Sequence, residues 1–246
     1  MTRTIEWDGC LNVRDLGGIE LEGGGRTRFG VLIRSDNVRQ LTDEGWRALA
    51  DHGVSRIVDL RWREELDDDP PRDVDIDVVH VSLLGEWDPD FSDDIDDYMA
   101  AGDPAGYWAS AYIRILEAHR ANFARALAAI ADDDGVVVFH CAGGKDRTGL
   151  VAALLLRLAG APLDKVAEDY ALTFARRSRA PDAWVEASRD DVERARRTFM
   201  QNTPPDAMRR AIEHLEDRYG DIESYLRAAG LDEACLARLR ERLVAA

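Results

Sequence analysis

Cysteine is scarce in this chain: Cys10, Cys141 and Cys235 are the three among 246 residues. Odd in number and far apart, they form no disulfide framework, and no CxxC pair or His-Cys cluster offers zinc a tetrahedral ligand set. Long apolar runs are also missing. The opening MTRTIEWDGC has no apolar core of a secretion signal, and no segment approaches transmembrane length. Positive charge is in deficit, with 32 Lys and Arg against 48 Asp and Glu and a net charge of -16. A phosphate backbone needs a positive footprint, so no nucleic-acid partner and no stable membrane insertion are expected. An acidic whole can still hold a basic pocket, which leaves phosphate-bearing substrates open. No cofactor is expected. The expected location is a reduced cytoplasm, with signal-independent export as the alternative.

What the chain does contain is a globular pattern: 46% hydrophobic and 33% charged residues, with a length suited to one sizeable core. VLIRSD (Val31 to Asp36), VSRIVDLR and DVDIDVVHVSL read as strands, with a helix from Thr42 as N-cap to Gly53 between the first two. The acidic stretch Glu86 to Asp97 reads as a loop. Tyr112, Ile115, Leu116, Phe123, Leu127 and Ile130 keep helical spacing between Pro104 and Ala131. VVVFH is then a short strand buried on both faces, and TGLVAALLLRLAG a nearly all-apolar, central helix. From Leu163 onward the pattern is helical. No internal repeat or long linker appears. The expectation is a single domain over residues 1–246, an α/β fold with a mostly parallel sheet covered by helices on both faces and a helical C-terminal third.

In such a sheet, ligands bind beyond the carboxyl ends of the strands. There the sequence runs VVVFHCAGGKDRTGL, Val136 to Leu150. Ala142, Gly143 and Gly144 are small enough for a tight loop whose N–H groups form a nest, and the next helix adds its positive end. That setting binds a tetrahedral oxyanion and favours the nucleophilic thiolate form of Cys141. Arg147, six residues on, can clamp two phosphate oxygens with its planar fork. The bland alternative for Cys141 is a small buried filler. A nucleotide P-loop is excluded, because Asp146 follows Lys145 where Ser or Thr belongs.

HCAGGKDRTG resembles the signature of cysteine-dependent tyrosine and dual-specificity phosphatases. With NVRDLGG (Asn12 to Gly18), RSDNVRQLTDEGW (Arg34 to Trp46), DLRWREE (Asp59 to Glu65) and YGDIESYLRAAGL (Tyr219 to Leu231), the chain resembles the bacterial tyrosine/lipid phosphatases with Lys-Asp-Arg in the active-site loop. The likeness spans nearly the whole chain and is looser over residues 67–135 and 178–211. It implies metal-independent hydrolysis of phosphotyrosyl proteins, with phosphoserine, phosphothreonine and phosphoinositides as further substrates and inorganic phosphate as product. In that scheme Cys141 attacks phosphorus, and residues 142–148, including Lys145, Asp146, Arg147 and Thr148, cradle the phosphate. Thr148 eases departure of the sulfur, and His140 supports the loop from behind.

Three acids compete as proton donor. Trp87-Asp88-Pro89-Asp90 resembles the Trp-Pro-Asp loop of eukaryotic tyrosine phosphatases, but the inserted Asp88 favours a solvated loop. Asp59 ends a buried strand at the sheet edge that carries Cys141, in the segment where the family places its acid, and is the first choice. Asp146, inside the loop, is the second. Lys145 either receives a second substrate phosphate or offsets Asp146. Arg34, Arg61 and Arg63 either widen a basic mouth or make surface ion pairs. Residues 178–215 read as an amphipathic helix pair with a candidate lid role. Two other functions stay open: a non-catalytic phospho-ligand module and a rhodanese-like sulfurtransferase.

Overall fold

Alternation along three short strands decides which way the sheet packs. In β2 (Leu32–Ser35), β3 (Val54–Asp59) and β5 (Val136–His140), Leu32, Val58, Val137 and Phe139 join one apolar cluster, while Ile33, Ile57 and Val138 join another. Side chains two apart share a face, so each strand feeds a core on both sides. The computed structural model describes residues 2–85 and 95–244. Trp87, Asp88, Pro89 and Asp90 lie outside the described residues.

The strand order is β1-β2-β5-β3-β4, with β1 spanning Arg14–Asp15 and β4 Asp77–His80. Only β1 runs antiparallel; β2, β5, β3 and β4 are mutually parallel, with Ser35 and Asp59 both level with His140. The carboxyl ends of the three central strands therefore meet at one edge, and Cys141 follows directly. The smaller face is covered by α1 (Asp43–Asp51) through Trp46 and Leu49. Thr42 caps it by accepting from the Gly45 amide at 3.2 Å, and Gly53 ends the turn with φ +79°.

The larger face is helical. It carries α4 (Pro104–Ala118), α5 (Arg120–Ala131), α6 (Asp146–Leu158) and α7 (Leu163–Arg177). The helical run expected from Pro104 to Ala131 is thus two helices that meet at His119. In α6 every residue from Arg147 to Leu156 is buried, as its apolar surround requires. The chain closes with α10 (Pro205–Tyr219), α11 (Ile222–Ala228) and α12 (Glu233–Leu243) on the same core. Range 178–215 divides at Pro205. Ala207, Met208, Ala211, Ile212 and Leu215 of α10 are buried, whereas α8 (Ala183–Glu186) and α9 (Asp191–Gln201) bury no residue. No helix among the described residues is long and apolar enough to cross a membrane.

Candidate active site

Gly143 and Gly144 turn the chain sharply after β5. At Gly144 φ is +62°, and a Cβ there would lie 2.6 Å from the Ser35 carbonyl oxygen. Glycine alone takes that conformation and lets the loop rest on the end of β2. The loop carbonyls are tied from outside. Ala142 O accepts from the Asn37 amide (3.0 Å), Gly143 O from Asn12 Nδ2 (3.3 Å), and Gly144 O from Asn12 Nδ2 (3.0 Å) and Arg34 Nη2 (2.8 Å). In a planar trans peptide, N–H points opposite to C=O. The amides of Gly143, Gly144 and Lys145 are therefore turned away from those tethers. None of the amides of residues 142–148 donates to another described residue. Together with the N-terminus of α6 they form a concavity of positive potential, fit for a tetrahedral oxyanion.

Cys141 is 2% exposed, yet it lines a cavity of about 690 Å³ with Gly143, Lys145, Asp146 and Arg147. The filler reading predicts a residue sealed in the core, whereas Cys141, though packed in the apolar cluster, also borders a cavity wide enough for a substrate.

Arg147 is held by the segment DLRWREE. Glu65, in the short helix α2 (Arg63–Asp68), faces the guanidinium fork to fork: Nη1 donates to Oε2, and Nη2 to Oε1 at 3.1 Å. Trp62 lays its ring 4.6 Å from Arg147 Cζ, and its amide donates to Glu65 Oε2 at 2.7 Å. Burial opposes the charge on Arg147, but Cys141 and Glu65 beside it more than compensate and raise its pKa. Burial likewise works against ionised Glu65, and the bonds from Arg147 outweigh it, so its pKa is lowered.

Asp59 and His140 stand behind the loop, each 1% exposed, and neither lines the Cys141 cavity. Asp59 accepts from Arg61 Nη2 (2.7 Å), Nε (3.0 Å) and its amide (3.0 Å), with His140 Nε2 at 3.7 Å. Burial would raise the Asp59 pKa; the His140 ring and Arg61 overcome it and bring it down. Burial lowers that of His140, against the pull of Asp59, which favours the neutral ring.

Asp146 is half-exposed and faces the cavity. Its Oδ1 accepts from Tyr112 OH at 2.6 Å and lies 3.3 Å from Lys145 Nζ, while Oδ2 has no partner among the described residues. Tyr170 OH, 2.7 Å from Tyr112 OH, completes the chain. Burial and Asp146 push the Tyr112 pKa well up, so it remains a donor. Lys145 is buried: Nζ donates to Met200 O at 2.6 Å and sits 3.3 Å from the centre of the Trp108 ring. Thr148 is buried with its hydroxyl unpartnered among the described residues.

Arg34 and Arg61 form neither a basic mouth nor surface ion pairs, because both are buried. Arg34 lies beneath the loop, where Asp169 Oδ2 accepts from its Nη1 at 2.6 Å; Arg14 Nε donates to Asp169 Oδ1 at 3.1 Å, and Arg3 pairs with the same carboxylate. Arg63 alone of the three is exposed. Several residues here escape motif reading. Glu65 and Asn12 lie inside DLRWREE and NVRDLGG, so their segments carried a signal. Tyr112, Asp169 and Arg177 are brought in by helices and carry none.

The model of the tyrosine phosphatase family matches residues 5–245. A tyrosine-protein phosphatase of Nostoc commune is 32% identical over 230 residues, covering 87% of this chain and 74% of that protein. The triple specificity protein phosphatase PtpB of Mycobacterium tuberculosis is 27% identical over 275 residues, covering 96% and 97%. The match runs from the segment before β1, which carries Asn12, to the last helix, so it takes in every element that shapes the loop around Cys141: the chain belongs to the tyrosine phosphatase family.

Proposed function

We propose that this protein hydrolyses phosphotyrosyl substrates, and phosphoinositides as the resemblance of its Lys-Asp-Arg loop to the tyrosine/lipid phosphatases implies, through a phosphocysteine. The observation that carries this reading is the set of loop amides turned away from their tethered carbonyls, beside a cysteine that opens on the same cavity. The Cys141 thiolate attacks phosphorus in line, the S–P bond forms as the P–O ester bond breaks, and the leaving oxygen takes a proton. Water then attacks phosphorus while the carboxylate that protonated the leaving group takes the water's proton, the S–P bond breaks, and inorganic phosphate and the thiolate are released. The amides and the free Nε edge of Arg147 stabilise the equatorial oxygens.

We assign the acid to Asp146 in preference to Asp59. Asp146 faces the cavity with Oδ2 uncommitted, while Asp59 is turned to Arg61 and His140. Asp59 then positions the loop through His140, whose Nδ1 is 3.3 Å from Cys141 O. Thr148 meets the sulfur as it leaves, and α8 with α9 serves as a mobile cover. In support of that cover, Trp184 and Met200 line the cavity, and neither helix has a buried residue.

The decisive test is turnover of an aryl phosphate by wild type and Cys141→Ser. Loss of turnover, with a phosphoryl group trapped on wild-type sulfur, is expected. Retained turnover in the serine variant sinks the scheme. Phosphate binding without turnover in wild type would favour the binding module, and thiosulfate turnover the sulfurtransferase. Phosphotyrosyl and phosphoseryl peptides run beside phosphoinositides rank the substrates.

A further inference from the structure

Arg177, at the C-terminal end of α7, reaches over the catalytic loop. Its Nη1 occupies the space above Gly143, where a Cβ would lie only 2.6 Å away, so the glycine admits the guanidinium against the loop backbone. Nη2 donates to Asp182 Oδ2 at 2.8 Å, and Nη1 has no hydrogen-bond partner among the described residues. Arg177 and Lys145 line the same cavity as Cys141, and the charge of Arg177 is one of the influences that lower the pKa of Lys145. Two cations thus stand near one another, besides Arg147, in a chain whose net charge is -16.

Among the described residues each of these three cations pairs with one carboxylate: Glu65 for Arg147, Asp146 for Lys145 and Asp182 for Arg177. The three are not equivalent. Glu65 is fixed by the Trp62 amide and holds Arg147 in place. Asp182 instead accepts from the Trp184 (3.0 Å) and Val185 (3.2 Å) amides through Oδ1, as the N-cap of α8, and meets Arg177 through Oδ2. Its cap does not depend on Arg177, so the guanidinium can turn to a ligand without unravelling α8.

We propose that Arg177, with the buried charge of Lys145 adding positive potential, forms a second anion subsite, which takes a further phosphate on a substrate whose first phosphate lies at Cys141. The proposal rests on the phosphatase reading above and names its preferred substrate class: a compact polyol bearing two phosphates on neighbouring carbons, as a soluble headgroup or on a lipid. An acidic phosphopeptide fits less well. Its nearest carboxylate is separated from the phosphorus by the length of the tyrosine ring, so it meets the rim of the cavity. Arg177 lies against the loop itself, two residues from the nucleophile, where only a group attached close to the scissile phosphate can reach.

The test compares Arg177→Gln and Asp182→Asn with wild type on an aryl phosphate, an inositol monophosphate, a vicinal inositol bisphosphate, and the matching bisphosphorylated lipid in neutral vesicles. A charge-assisted hydrogen bond is at stake, so Arg177→Gln should lower kcat/KM for the bisphosphate about tenfold more than for the aryl phosphate. Asp182→Asn, which keeps a good N-cap while freeing Arg177, should shift the ratio the opposite way. Parallel losses on soluble and lipid bisphosphate mean headgroup recognition; a loss confined to vesicles means that Arg177 meets the membrane, and overturns the subsite. An equal loss on all substrates, or a larger one on an acidic phosphotyrosyl peptide, also overturns it. Calorimetric binding of the inositol bisphosphate to Cys141→Ser and to Cys141→Ser/Arg177→Gln reads the subsite without turnover. Equal affinity in the two proteins would sink it even if the phosphatase reading stands, and absence of aryl phosphate turnover would sink that reading alone.

Discussion

Glu65 and Arg147 meet as two planar forks, with the Trp62 ring 4.6 Å from the guanidinium carbon. This arrangement commits one edge of Arg147 to the protein and leaves the Nε edge for the phosphate. In the proposed mechanism, where Arg147 clamps the transition state, Glu65 is therefore a positioning residue. Glu65→Gln removes the charge and halves the fork while leaving Cys141 and the loop amides in place. A small misorientation of such a clamp lowers turnover by up to about a hundredfold. Steady-state kinetics should show kcat falling more than KM rises, since the contact tightens in the transition state. A change in KM alone would assign Glu65 to ground-state binding.

Asn12 ties two successive loop carbonyls with a single amide, and Arg14 Nη1 in turn donates to Asn12 Oδ1 at 2.5 Å. Asn12→Ala frees both carbonyls and lets the peptides rotate, so the amides lose their common direction. Stability should fall by about 1–3 kcal/mol for buried groups left unpaired. The loss in kcat for an aryl phosphate should exceed what the folded fraction explains. A chemical denaturation curve run beside kinetics separates the two, and kcat that merely follows the folded population would reduce Asn12 to a structural role.

The sheet was legible because β2, β3 and β5 are short apolar runs bounded by turns, and the helix from Thr42 because its cap is a side chain acting three residues ahead. That Cys141 and Arg147 face one cavity was legible because one contiguous loop holds them. The division at His119 was hidden, since apolar spacing continues through it. Arg34 and Arg61 looked like surface charge because a sequence does not reveal that Asp169, 135 residues away, neutralises one, while Asp59 holds the other. Asp59 has the right strand end for an acid, and its commitment to Arg61 depends on a side chain folding back over two residues. Tyr112 and Arg177 reach the cavity only through helix packing, and no local pattern announces that.

The two candidate acids should separate cleanly. With a poor leaving group, Asp146→Asn is expected to remove the pH limb that reports the protonated acid, while Asp59→Asn retains it. Asp59→Asn should act on stability, by about 3–5 kcal/mol for a broken buried pair at neutral pH. The folded-state pKa of Asp59 is depressed, so the unfolded chain binds more protons as pH falls through the ordinary carboxylate range, and the stabilisation is lost in that direction. The gap between wild type and Asp59→Asn should therefore shrink on acidification. Loss of the limb in Asp59→Asn, with full stability, would reverse the assignment.

Lys145 sets an alkaline counterpart. Burial pushes its pKa from the ordinary 10.5 down to about 8, against the pull of Asp146. The ammonium is present below that value and lost as pH rises through it. Above it the folded protein has released a proton that the unfolded chain keeps, so this group's contribution makes stability rise with pH between about 8 and 10.5. Function moves the other way, because a neutral amine no longer attracts phosphate. On a bisphosphorylated substrate, kcat/KM should fall across that window more steeply than on an aryl phosphate. Lys145→Arg should carry the cation to higher pH and flatten the extra fall, and Lys145→Met should remove both the extra fall and the rise in stability. Paired pH profiles of turnover and urea midpoint measure the two together. An identical alkaline limb in wild type and Lys145→Met would show that another group titrates there.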